Sequence, residues 1–71
     1  MKKEKPEFLV RLEEEQKALS IKIANLSTYL GRPGDKPQGE LLIIQLRTME
    51  AYNEMLELRL RLIKKEGKNE Q

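Results

Sequence analysis

The sequence predicts an all-α protein, a hairpin of two long antiparallel helices that assembles into a homo-oligomeric bundle. Three observations predict it. Three of the four glycines and two of the three prolines fall within residues 31–39, which marks one turn and leaves two uninterrupted flanks. In both flanks the apolar residues recur at alternating spacings of three and four, the period of a helix with one buried stripe. The chain has 71 residues, no cysteine and no histidine, so the disulfides and thiolate or imidazole zinc sites that stabilise many small domains are excluded. Self-association is the remaining route to a sufficient core.

The first helix is expected over about residues 6–30. Pro6 suits a first turn, and the segment is rich in Leu, Glu, Lys, Gln and Ala, which are strong helix formers. Leu9, Leu12, Gln16, Leu19, Ile23, Leu26 and Leu30 form its seam, with one polar member. Residues 31–39, Gly31-Arg32-Pro33-Gly34-Asp35-Lys36-Pro37-Gln38-Gly39, form the turn, and Gly31 suits a C-terminal cap. The second helix is expected over about residues 40–65, with Leu42, Leu46, Met49, Asn53, Leu56, Leu60 and Ile63 as its seam. Lys64 and Lys65 before Gly67 place favourable charge at its C-terminal end, and residues 66–71 are expected to be a disordered tail. At ~1.5 Å per residue each arm is roughly 37 Å long, which makes an extended rod.

The second helix carries more apolar surface than its seam uses. Leu41, Ile44, Tyr52, Met55, Leu58 and Leu62 lie on an adjacent face, and a two-helix rod has no third element to bury them. Packing of hairpin on hairpin follows as the expectation. Charge adds little direction: 14 Lys and Arg against 12 Asp and Glu leave +2 spread along the chain, which argues against coating of a nucleic-acid polymer. No apolar run approaches the ~20 residues of a membrane span, and Met1–Pro6 leads into no signal-peptide core. The chain reads as soluble and intracellular.

Little in the residue set promises catalysis. Glu13, Glu14 and Glu15 are consecutive on a helix and fan out over about 200°, which keeps them from converging on a metal or a proton. Glu13 and Lys17, four apart, have the spacing of a surface ion pair. The Gly-Arg-Pro-Gly-Asp-Lys-Pro turn lacks the Lys-Ser/Thr ending of a phosphate-binding loop. No metal site and no cofactor is expected. The polar residues inside apolar surfaces are more informative: Gln16 and Asn53 at seam positions can fix register and partner number at a cost in stability. Lys22, between Ile21 and Ile23, and Arg59, between Leu58 and Leu60, either snorkel out of an interface or face an anion within it.

Two ordered patterns carry a resemblance. The first arm reads Arg11-Leu12-x-x-Glu15-x-x-x-Leu19-x-x-Lys22-Ile23-x-x-Leu26-x-x-Tyr29-Leu30, and the second reads Leu41-Leu42-x-x-Gln45-Leu46-x-x-Met49-x-x-Tyr52-x-x-x-Leu56-x-x-Arg59-Leu60. Together, over residues 8–62, they resemble the hairpin domain of phage anti-CBASS and anti-Thoeris sponge proteins. The resemblance implies a non-enzymatic function, in which cyclic nucleotide second messengers of bacterial immunity are bound and sequestered in the cytoplasm of the infected host. It also implies a hexamer of interlocked dimers with cyclic dinucleotide pockets between protomers, and in some members separate cyclic trinucleotide sites. The family's dinucleotide pocket stacks an aromatic near the start of the first helix on a base and pairs a lysine of that helix with phosphate. Phe8 and Lys22 match these, with Phe8 standing where the family usually has tyrosine. Stacking needs only the ring face and survives that change.

Spacing constrains how such a pair can act. Phe8 and Lys22 lie roughly 21 Å apart along a helix axis, too far to hold one small ligand within a protomer. An antiparallel pairing of two first helices brings Phe8 of one chain beside Lys22 of the other, and its two-fold symmetry suits a cyclic dinucleotide. Arg11 and Asn25 are candidate secondary contacts, and Arg59 is a candidate for a separate anion site. The expected function is thus a cyclic-nucleotide sponge with a dimer as its minimum unit. The alternatives are the same scaffold holding a cyclic ADP-ribose signal, or a helical adaptor whose open apolar face recognises a partner protein.

Overall fold

The computed structural model describes residues 5–69. Among these residues there are two helices, α1 over Glu7–Gly31 and α2 over Gly39–Asn69, packed against each other as an antiparallel hairpin. The result is a rod with extents of 55 × 18 × 15 Å. Among the described residues no helix is long and apolar enough to cross a membrane.

Pro6 stands at the N-cap of α1, with φ −58° and ψ 150°, and its carbonyl accepts the N–H groups of Leu9 and Val10 at 3.0 and 3.1 Å. Having no N–H of its own, proline leaves one fewer orphan donor at this end. The Glu7 carboxylate favours the positive end of the helix dipole. Lys5 reaches forward to Glu13, 3.0 Å away, so the expected Glu13–Lys17 pair is replaced by one that ties the entering chain to the second turn of the helix.

The turn departs from the expected cap. Gly31 is the last helical residue and has no positive φ; Arg32 follows it in extended conformation, φ −76° and ψ 150°. The cause is Pro33, whose ring excludes the helical region for the residue before it. Left-handed backbone appears instead at Gly34, φ 107°, and at Gln38, φ 59°. Pro37 and Gln38 occupy the central positions of a turn closed by the Gly39 N–H on the Lys36 carbonyl at 2.9 Å, the pattern of a type II turn. Gln38 then opens α2, its carbonyl accepting the Leu42 N–H at 2.9 Å. The Lys36 ammonium binds the Arg32 and Gly34 carbonyls and lies 5.6 Å from the centre of the Tyr29 ring, which gathers the loop onto the end of α1.

At its far end α2 continues through Gly67 to Asn69, past the expected stop at Lys65 and into the expected tail, of which only 70–71 lie outside the described residues. A single glycine costs a helix about 1 kcal/mol relative to alanine yet keeps its N–H, and no proline follows to end the helix.

The seams meet as their spacing requires. Every seam residue of both helices is buried or half-buried, with Leu9, Leu12, Leu46 and Leu56 forming the buried core and Leu56 fully enclosed. The two polar seam residues find each other: Gln16 Nε2 donates to Asn53 Oδ1 at 3.0 Å in a part-buried setting, and also lies 3.4 Å from Ser20 Oγ. This bond sets Gln16 opposite Asn53 and thereby the register of the hairpin.

Candidate functional site

On a wheel of about 100° per residue, Phe8, Arg11, Glu15, Lys22, Asn25 and Tyr29 fall within one arc of α1 of about 100°, beside its seam. Leu41, Ile44, Tyr52, Met55, Leu58, Arg59 and Leu62 fall within a comparable arc of α2. The two arcs lie on the same side of the hairpin, because the Tyr52 hydroxyl on α2 donates a hydrogen bond to the Glu15 carboxylate on α1. One broad face therefore carries the candidate binding residues and the surplus apolar surface together.

That face is open in the single chain. Phe8 is 57% exposed, and Leu41, Ile44, Tyr52, Met55, Leu58 and Leu62 are exposed by 44% to 62%. Lys22, Asn25 and Arg59 are also exposed and form no hydrogen bond or ion pair with the described residues, whereas Arg11 is held by Glu7 at 3.0 Å. The opposite side is chiefly polar, with Glu13, Lys17, Ser20 and Ser27 on α1 and Glu50, Glu54, Glu57, Arg61 and Lys64 on α2. Ile43 is an exposed apolar exception there.

Counting outward from Gln16 and Asn53, Phe8 lies level with the stretch 59–61 of α2 and Lys22 with the stretch 45–47. Phe8, Arg11 and Arg59 thus collect toward the open end of the hairpin, while Lys22 and Asn25 lie toward the turn beside Leu41 and Ile44. A single chain does not bring Phe8 to Lys22, and its described residues enclose no cavity. No three carboxylates converge among the described residues: Glu13 turns to Lys5 and Glu15 to Tyr52.

The Tyr52–Glu15 bond is a feature that the seams alone do not announce. The Tyr52 hydroxyl is held above its ordinary pKa, first by the hydrogen bond to Glu15, then by desolvation and by the Glu15 charge, with the Arg59 charge opposing. It therefore stays a donor well beyond neutral pH. The sequence signal was adjacency, since Glu15 and Tyr52 each immediately precede the polar seam residues, and a Gln16–Asn53 pairing brings their neighbours together. Tyr29, partly covered by Lys36 and 37% exposed, extends the same arc toward the turn.

No curated protein and no solved structure matches this chain. A family comparison does match, over residues 6–62, the span from the Pro6 cap to the last turns of the α2 seam. The chain belongs to the Sequestin family, whose name denotes a sequestering role.

Proposed function

We propose that this protein is a sponge that binds cyclic oligonucleotide second messengers, CBASS-type cyclic dinucleotides foremost, and releases them chemically unchanged. The site is shared between copies of the chain, in the cytoplasm of an infected bacterial host. The observation that carries the reading is the open pair on α1: an exposed aromatic ring, Phe8, and an uncommitted ammonium, Lys22, on one helix arc beside an apolar face too large for one hairpin to cover. Rings stack on bases and ammonium groups pair with phosphates, so the two residues match the two recurring parts of a nucleotide. Their axial separation of roughly 21 Å makes each chain half of a site. Antiparallel pairing supplies the other half, setting Phe8 of one copy beside Lys22 of the next at each of two symmetry-related ends. Membership of the Sequestin family supports a sequestering role.

Titration calorimetry of the purified chain with cyclic di- and trinucleotides and cyclic ADP-ribose isomers tests this, followed by heat release and chromatography of the ligand. The expected result is tight binding of a cyclic dinucleotide that elutes intact. Binding confined to a cyclic ADP-ribose isomer would move the reading to that signal, and a chemically altered ligand would end it. Lys22→Ala is expected to weaken dinucleotide binding by about tenfold or more, as for loss of a charge-assisted contact, with the mass of the assembly unchanged.

A further inference from the structure

The outer face of α2 carries a second seam. Leu41, Ile44, Thr48, Ala51, Met55 and Leu58 follow one another at alternating spacings of three and four, and all six are exposed. The polar member is fit for burial, because the Thr48 hydroxyl donates to the Ile44 carbonyl at 3.0 Å and would not be covered unpaired. Thr48 and Ala51 are also the small residues at the middle of this seam, where another helix can approach closely. Along one edge runs a row of charges. Glu40, Arg47, Glu54 and Arg61 recur at every seventh position with alternating sign, and all are exposed. This edge is turned away from α1, since the other carries Tyr52, which bonds to Glu15. Among the described residues Glu40, Glu54 and Arg61 form no ion pair. Arg47 reaches Glu50 at 3.1 Å with its side chain 71% exposed, which leaves guanidinium donors for a second carboxylate.

We propose that two copies of the chain pair through α2, antiparallel and two-fold symmetric, in the one register that this row of charges permits. Leu41 then packs on Leu58 of the second copy, Ile44 on its Met55, and Thr48 on its Ala51. Matching edges of two seams face each other in an antiparallel pair, so Glu40 meets Arg61 of the second copy and Arg47 meets its Glu54, each twice by symmetry. Neighbouring registers are penalised. A slip of seven residues one way sets Arg47 on Arg61 and Glu54 on Glu54; the same slip the other way sets Glu40 on Glu54 and Arg47 on Arg47. Alternation of sign thus makes the row attractive in one register and places like charges together in both neighbours. A parallel pairing is poorer, because it offers Glu40 and Arg47 only the uncharged Gln45 and Tyr52 and sets Lys65 on Lys65. The α1 arc with Phe8 and Lys22 stays outside this interface, so the pairing goes beyond the sequestration reading and does not depend on it.

Sedimentation velocity and native mass spectrometry of the full chain, with no ligand added, test this on Arg47→Glu, on Glu54→Arg and on an equal mixture of the two. Each variant alone sets like charges across the two-fold axis and is expected to associate about tenfold more weakly than the native chain. The mixture is expected to regain native association as mixed pairs, because position 47 of either chain then faces an opposite charge at position 54 of the other. A single chain carrying both substitutions is expected to associate as the native chain does, for the same reason. Damage to the fold would give no such rescue, and circular dichroism of each variant checks helicity. Single variants that associate like the native chain overturn the proposal, as does a mixture that associates no better than its components.

Discussion

At the scale of single residues, the pair Gln16 and Asn53 explains most. Their positions in two apolar seams were legible because each breaks an otherwise regular spacing of three and four. That they bond to each other was not, since it depends on how far one helix is slid along the other. Their hydrogen bond at 3.0 Å satisfies groups that would otherwise lose water for nothing. Gln16→Leu alone leaves Asn53 unpaired and is expected to destabilise the fold by about 1 kcal/mol, whereas Gln16→Leu with Asn53→Leu recovers or exceeds native stability. The double variant also loses one of the polar contacts across the hairpin that distinguish the native register from its neighbours. Thermal unfolding of the native chain, both single variants and the double completes the cycle; additive losses would mean that the pair does not act as a unit. Lys22 and Phe8 differ from this pair: among the described residues the Lys22 side chain has no hydrogen-bond or ion-pair partner and Phe8 is 57% exposed, so their role is left to what approaches the face.

At the scale of elements, two helices and one turn were readable from glycine and proline punctuation, and their interiors from composition. The ends are less legible, for local reasons. Gly31 has the residue type of a left-handed cap, but Pro33 acts two residues later and extends Arg32, so Gly31 stays helical. A Cβ added there would meet no atom within 4 Å. Gly31→Ala is therefore expected to stabilise the protein by about 0.5–1 kcal/mol, whereas a left-handed cap would make the same change destabilising. Denaturant titration gives the sign directly. Gly67 is a second case: a glycine ends a helix only when the chain after it turns away, and here α2 runs on to Asn69. The strained backbone lies instead at Gln38, φ 59°, where the Pro37 turn requires a conformation that glycine or asparagine adopts more readily.

At the scale of the whole molecule, the hairpin leaves a broad apolar face uncovered. Four leucines are buried, and six large apolar residues of one α2 face are exposed by 44% to 62%. A rod 18 × 15 Å across has no interior in which to place them. Association of copies through this face is expected, and analytical ultracentrifugation should give a mass that is a multiple of 8.3 kDa, with Leu58→Glu lowering it. A native chain that sediments as a monomer at all concentrations would leave the shared site without its second half. The sequence by itself determined the helical class, the seams, the turn and the surplus face, because each follows from residue type and a fixed 3.6-residue period. Only the tertiary structure decided the register. That register joins Gln16 to Asn53 and Glu15 to Tyr52, and so puts the Phe8–Lys22 arc and the apolar face on one side of the hairpin. The physical reason is that a period gives the angle of each side chain about its own helix, while the slide and facing of two helices are set by which side chains meet across them.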